Sequence, residues 1–117
     1  MTNFTIYQQH LSNAASDKLN SVGWDENFGE FKDAILCHRD VKFRGSEEFK
    51  PHYFNLYSKV AKVEAEDLDD VFFIGNTGRP MERLSERMHS ISIGDIIESE
   101  GSFFMVDGYG FTQVEVA

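Results

Sequence analysis

Strict alternation of apolar and polar positions opens the chain. Over residues 4–8, Phe4 and Ile6 alternate with Thr5 and Tyr7. Successive side chains of a strand point to opposite faces, so this alternation predicts a half-buried β-strand. We expect its apolar face to contribute to the core of the domain.

Helical spacing follows in two segments of the N-terminal half. The first predicted helix ends near Gly23. Its apolar face is formed by Leu11, Ala15, Leu19 and Val22. The second predicted helix has Asp25 as its N-cap and runs to about His38. Its aromatic stripe, which we expect to pack in the core, is formed by Phe28, Phe31 and Ile35.

The middle of the chain predicts a connector and then a long strand. Residues 40–51 are polar and are predicted to connect the second helix to the strand. Residues 52–65 are rich in β-branched and aromatic side chains. Their apolar positions change parity near Ala61, which predicts a bulge or a bend there.

Two short helices are predicted next, separated by a turn over residues 75–80. The first covers residues 66–74, with Leu68, Val71 and Phe72 on its apolar face. Acidic residues in its first turn favour the helix through its dipole. The second helix presents a narrow apolar seam, formed by Met81, Leu84 and Met88.

The C-terminal residues predict a β-meander. A strand over 90–98, interrupted at Gly94 and Asp95, is followed by strands over 103–107 and 111–116, with glycine-containing turns between them. The fold class predicted is α+β, with a small antiparallel sheet whose C-terminal β-meander packs against two or three short helices. A length of 117 residues fits a single domain over 1–117.

Charge is unevenly distributed along the chain. Residues 1–63 carry eight acids and eight Lys or Arg, whereas residues 64–117 carry twelve acids and three Arg, which gives a net charge of −9. A field of this sign repels nucleic acid and anionic membranes and attracts basic protein surfaces. No run approaches the roughly 20 apolar residues of a membrane span, so we expect a cytoplasmic protein.

Candidate chemical groups are sparse. The single Cys37 fits a reducing compartment and is expected to be a small buried side chain in a helix, with a nucleophilic role as the alternative. No metal or cofactor site is expected, because the four histidines are scattered and the acidic run 64–70 lacks the Gly and Glu of a calcium loop. His89, Ser90 and Asp95 have the residue types of a hydrolytic triad, although His89 is expected to cap or pack at a helix-to-strand junction.

A basic cluster lies around the predicted connector. It consists of Arg39, Lys42, Arg44 and Lys50. Two interpretations stay open: a solvated loop, or a contact with an acidic partner or a phosphate group.

Several C-terminal segments together resemble a known family. They are Leu68-Asp69-Asp70-Val71-Phe72, His89-Ser90-Ile91-Ser92-Ile93-Gly94-Asp95-Ile96-Ile97 and Phe104-Met105-Val106-Asp107-Gly108-Tyr109-Gly110-Phe111. These segments and the opening Phe4-Thr5-Ile6-Tyr7-Gln8 resemble the YodL-like domain of bacterial plasmids, conjugative elements and phages, although Gly94 stands where that family often has Ser. The resemblance implies an accessory protein of a mobile element, a group in which counter-defence roles are common. It implies no catalytic residues.

The expected function is therefore binding to a basic host protein in a bacterial cytoplasm, as a counter-defence inhibitor and without catalysis. DNA mimicry by the acidic half is one version of this function. The residues expected to contact the partner are Glu64, Glu66, Asp67, Asp69, Asp70, Glu98, Glu100, Asp107 and Tyr109. The alternative is a structural or regulatory interaction module, with a homodimer through the seam of Met81, Leu84 and Met88 as one form.

Overall fold

The computed structural model describes five stretches of the chain, residues 2–9, 32–77, 81–85, 88–108 and 110–116, without the side chains of residues 32, 33, 42, 43 and 77. The helix predicted over 11–22 lies outside these stretches. So do Tyr109 and the part of the second predicted helix that precedes Lys32.

An antiparallel six-stranded sheet organises the described residues. The strand order is β3-β2-β1-β4-β5-β6, so the first strand of the chain lies in the interior of the sheet. The predicted α+β class is confirmed, with its antiparallel sheet and C-terminal meander. The strands are β1 (Thr2–Gln9), β2 (Tyr57–Ala65), β3 (Glu82–Arg83), β4 (Ile96–Ser99), β5 (Ser102–Asp107) and β6 (Gly110–Val114).

The helices differ from the prediction in their bounds. They are α1 (Lys32–Arg44), a 3-10 turn (Gly45–Glu47), a 3-10 helix (Pro51–Leu56) and α2 (Leu68–Thr77). The predicted end at His38 is wrong, because α1 continues through much of the expected connector. The strand predicted from residue 52 begins only at Tyr57, since Pro51 starts a 3-10 helix that buries Tyr53. No helix in the described residues has the length and apolar character to cross a bilayer.

The bulge predicted near Ala61 is confirmed in β2. Ile6 pairs with Ala61, but the next residue of β1, Tyr7, pairs with Lys59, so Val60 is the extra residue. Val60 and Ala61 are both fully buried, although neighbours in a regular strand point to opposite faces. The parity change in the sequence therefore marked a real irregularity of the ladder.

Each face of the sheet has its own apolar cluster. The α2 face is covered by α2 and by residues near Ile91. Its buried members are Phe4, Ile6, Val60, Ala61, Val63, Ala65, Val71, Ile74, Ile91, Ile97 and Val106. The α1 face is covered by α1 and the 3-10 helix. Its buried members are Tyr7, Cys37, Val41, Tyr53, Ile96 and Met105.

The helix predicted around Met81 and Met88 is wrong. Glu82 and Arg83 instead form β3 on the edge of β2, and Leu84 donates its N–H to the carbonyl of Val60 at 2.8 Å. Met81 and Met88 are half-buried against the α2-face cluster, so they do not form an exposed seam. Backbone hydrogen bonds to the edge of β2 favour an extended conformation here more strongly than the spacing of the three apolar residues favours a helix.

Glycines predicted to lie in turns have different roles in the structure. Glu100 and Gly101 have positive φ of 51° and 84°, which forms the tight turn between β4 and β5 predicted around Gly101. The turn expected from Gly75 is wrong, because α2 continues to Thr77. A Cβ at Gly75 would lie 2.2 Å from Cδ1 of Ile91, so glycine is needed there for close packing. The strand predicted from Ser90 begins only at Ile96.

Candidate protein-binding surface

Most of the predicted contact residues meet at one end of the sheet. β2 ends at Ala65 and α2 begins at Leu68, so the acids around this connection share one location. Glu98 and Glu100 belong to β4 and its turn, at the same end, because β4 runs antiparallel to β1. We call this surface the acidic end; its members are Glu64, Glu66, Asp67, Asp69, Asp70, Glu98 and Glu100.

Register places Glu64 and Glu98 on the same face of the sheet. Glu64 lies opposite Asn3, and Glu98 lies opposite Thr5, two positions further along β1. With neighbouring strands about 4.8 Å apart and an offset of two residues along β1, the Cα atoms of Glu64 and Glu98 flank β1 at a separation of roughly 12 Å. The sequence suggested that these acids could be neighbours, and strand pairing supplies the reason.

Two members of the acidic end also hold the start of α2. The Asp67 carboxylate accepts the N–H of Asp70 at 2.8 Å, and the Asp70 carboxylate accepts the N–H of Glu66 at 3.1 Å. These bonds satisfy N–H groups that a helix start leaves without intrahelical partners. Neutralising Asp67 or Asp70 would therefore weaken α2 as well as remove charge. Glu66 and Asp69 are exposed.

Glu98 is bound from within the protein. The hydroxyl of Tyr7 donates to its carboxylate at 3.1 Å. Burial, together with the hydrogen bond and the negative charge of Glu98, raises the pKa of Tyr7 to about 12. This contact fixes Glu98 at the inner margin of the acidic end, while Glu100 is exposed on the turn.

Asp107 does not belong to the acidic end. It closes β5 at the opposite end of the sheet, where its carboxylate accepts bonds from the N–H of Ser46 at 2.7 Å and from its hydroxyl at 2.8 Å. The hydroxyl of Thr112 donates to it as well. Burial alone would raise the pKa of Asp107, but the bonds from Thr112 and Ser46 outweigh burial and lower it. A Cβ on Gly45, which has φ +67°, would lie 2.0 Å from this carboxylate.

Asp107→Asn is expected to destabilise the protein at neutral pH by about 1 to 3 kcal/mol, because the amide cannot accept the same bonds. Since the folded-state pKa is lowered, the stabilisation by Asp107 is present above the ordinary carboxyl pKa and is lost as pH falls through the lowered value. Urea unfolding at several pH values should show a deficit that shrinks in acid. Glu115→Gln, at an exposed carboxylate, should cost little; an equal loss in both variants would contradict a role for Asp107 as an anchor.

A pair of exposed phenylalanines was missed by the sequence analysis. On α2, Phe72 is 38% exposed and Phe73 is 54% exposed, so the prediction that Phe72 packs inward is wrong. The buried face uses Val71 and Ile74, with Leu68 half-buried. Four consecutive apolar residues from Val71 to Ile74 were the available signal, because one face of a helix cannot bury all four.

An apolar groove adjoins this exposed aromatic pair. It has a volume of about 490 Å³ and lies between α2 and the β5 end of the α2 face. Its apolar lining is formed by Phe72, Ile91, Ile93 and Val106. Phe72 therefore belongs to a larger apolar surface, which extends to Asp107 and Gly108. Asp69 lies one turn before Phe73 on the same helix.

The basic cluster is not one uniform patch. Arg39 pairs with Asp40 through two bonds at 2.7 and 3.3 Å, and Arg44 pairs with Glu48 at 3.4 Å. The ammonium of Lys50 lies 5.8 Å from the centroid of the Tyr53 ring. Neighbouring acids therefore offset much of the positive potential at the two arginines.

His89 and Asp95 belong to a buried polar network around Gln8. The Gln8 amide donates to the carbonyl of His89 at 2.9 Å and to the Asp95 carboxylate at 3.0 Å, and its oxygen accepts the N–H of His89 at 3.1 Å. Asp95 is fully buried and also accepts the N–H of Ser92. Nδ1 of His89 lies 2.7 Å from the carbonyl of Ser90, in keeping with the predicted capping role. These bonds tie β1 to the segment before β4.

Cys37 lies fully buried in α1, as predicted for a structural side chain. Among the residues that the structure describes, no three His, Cys, Asp or Glu side chains are arranged to hold a metal ion. No family model, curated protein or solved structure shows significant similarity to this chain.

Proposed function

We propose that this chain is a protein-binding accessory factor of a phage or mobile element, which inhibits a host defence protein by covering a basic surface on it. The observation that carries the proposal is the adjacency on α2 of the exposed Asp69 and the exposed aromatic pair, one helical turn further along. The resemblance to the YodL-like domain supplies the biological setting.

The acidic end would act first on the rate of encounter. Its side chains concentrate much of the excess negative charge of residues 64–117 at one end of the sheet. Complementary charge accelerates association more than it strengthens the final complex, and each exposed ion pair contributes only about 0 to 1 kcal/mol. A second source of affinity is therefore required.

The exposed aromatic pair would provide that affinity. Aromatic side chains that enter a partner pocket commonly dominate the binding energy of an interface. We therefore propose a partner surface with an apolar cleft and a rim of Lys and Arg. A pure DNA mimic differs, because many carboxylates would share the binding energy and aromatic anchors would be dispensable.

Neutralising part of the acidic end tests the electrostatic step. We expect Glu64→Gln, Glu66→Gln and Asp69→Asn, combined in one variant, to slow association with the partner by about tenfold at low salt. This triple variant leaves the helix-capping residues Asp67 and Asp70 intact. The partner is the protein retained by the wild-type chain from a bacterial host extract and then purified, and the rate is measured by biolayer interferometry.

A matched control changes net charge equally at other places. Asp40→Asn, Glu47→Gln and Glu48→Gln remove three carboxylates beside Arg44, near the Asp107 end of the sheet and away from the acidic end. Its association rate should stay within threefold of wild type, and added salt should slow wild type more than the first triple variant. Equal rates for both triple variants would contradict a specific acidic contact surface.

A further inference from the structure

We infer that the outer edge of β6, which has no ladder partner among the described residues, pairs with β6 of a second copy of this chain and gives an antiparallel dimer with one continuous sheet. This inference is independent of the proposed function. β6 covers Gly110–Val114 and stands last in the strand order. In the described part of the chain, β5 is its one ladder partner.

Hairpin register shows which backbone groups of β6 face outward. Asp107 pairs with Gly110 across a two-residue turn, and the pair that closes such a turn is hydrogen-bonded. Hydrogen-bonded pairs then alternate along the ladder, so Gly110, Thr112 and Val114 bond to β5. Phe111 and Gln113 consequently direct their N–H and C=O groups towards the outer edge.

The two edges of the sheet differ in how they resist pairing. β3, at the other edge, has two residues, and both of them, Glu82 and Arg83, are charged. β6 has five residues with no charge and no proline. Proteins usually block exposed edge strands with charges, prolines or short length, and β6 carries none of these.

The composition of β6 favours a second copy as the occupant. Another copy carries the same net charge of −9, so it can approach only along a segment without acids. An antiparallel pair centred on Thr112 would place Phe111 opposite Gln113 and give a hydrogen-bonded pair at each of these two positions. The strand is self-complementary in this register.

Both apolar clusters would continue across such a pair. Phe111 is partly buried against the α2-face cluster, and Val114 is partly buried against the α1-face cluster. The two copies would be related by a two-fold axis that passes between their Thr112 residues. Each face of one sheet would then continue into the same face of the other copy. The remaining exposed surface of Phe111 and Val114 would then be covered.

Sedimentation equilibrium of the full chain tests the inference. We expect a mass of twice 13.4 kDa to be reached as concentration rises to about 1 mM, a range that includes weak specific pairing. Added salt should strengthen the dimer, because two copies of like charge repel. A chain that stays at 13.4 kDa over this range overturns the inference.

Gln113→Pro is the sharpest variant. It removes an N–H that faces outward, so the bonds to β5 are kept while pairing at the edge is blocked. We expect a dimer dissociation constant at least about tenfold higher, with an unchanged melting temperature. Thr112→Pro is the control, because it removes a bond to β5 and should lower the melting temperature. A dimer as tight as wild type in Gln113→Pro contradicts the inference.

Amide hydrogen exchange of the wild type decides the case if Gln113→Pro does not fold. Protection at Phe111 and Gln113 should increase with protein concentration, while Gly110 and Thr112 are protected at all concentrations. Protection that appears only when a different protein is added would assign the edge to a foreign strand and overturn the inference.

Discussion

Gln8→Leu is expected to lower the free energy of unfolding by about 3 kcal/mol or more. The side chain is fully buried and makes three hydrogen bonds, two to the backbone of His89 and one to Asp95. Leucine has a similar volume but removes the bonds from residue 8 to the N–H and C=O of His89 and to Asp95, whose carboxylate keeps the N–H of Ser92. Each buried polar group left unsatisfied costs about 1 to 3 kcal/mol, and a charged group costs more.

Gln9→Leu is the matched control for this prediction. Gln9 is also buried, but its amide has one described bond, to the carbonyl of Ala34 in α1 at 2.9 Å. We expect a loss of about 1 kcal/mol, measured for both variants by urea unfolding. Equal losses in the two variants would show that the number of bonds to residue 8 does not determine its contribution.

Phe72→Ala and Phe73→Ala are each expected to weaken binding of the purified host partner by about 30-fold, which corresponds to 2 kcal/mol. Phe73 is the more exposed of the two, so Phe73→Ala should change the melting temperature little. Phe72→Ala should lower it moderately, because part of the Phe72 side chain packs beside Ile91 and Val106. The affinity is measured by isothermal titration calorimetry, and the binding heat-capacity change should become less negative as apolar burial is lost.

Leu84→Ala provides a control at another exposed apolar residue. Leu84 is 43% exposed and follows β3, away from the exposed aromatic pair. Its replacement should leave the affinity within threefold of wild type. If the two phenylalanine variants bind normally while the acidic triple variant does not, the protein contacts its partner by charge alone, and DNA mimicry becomes the better description.

The sequence predicted the elements whose pattern is local. Alternation identified β1, a parity change located the bulge at Val60, and Gly101 marked the turn between β4 and β5. Each of these depends on residues close together in the chain, so periodicity and glycine placement were sufficient. The acids of the connection between β2 and α2 were also identifiable from their proximity in the sequence.

Features that depend on distant partners could not be predicted in this way. Met81 and Met88 have helical spacing, but the edge of β2 draws the segment between them into a strand. From the sequence alone, Gln8 is the polar end of an alternating strand. Its buried position depends on His89 and Asp95, which contact it from far along the chain. Periodicity cannot rank Phe72 against Ile74 as the inward residue, because that choice depends on where α2 crosses the sheet.

The interior position of β1 has a consequence for folding during synthesis. β1 emerges from the ribosome well before its ladder partners, which are distant in the chain: Ile6 pairs with Ala61 on one side and with Ile97 on the other. Closing such long loops costs entropy before any ladder bond compensates for it, and folds dominated by distant pairings form slowly. A nascent chain arrested before β4 would therefore hold β1 with one of its edges unpaired, in a form open to misassociation with other strands.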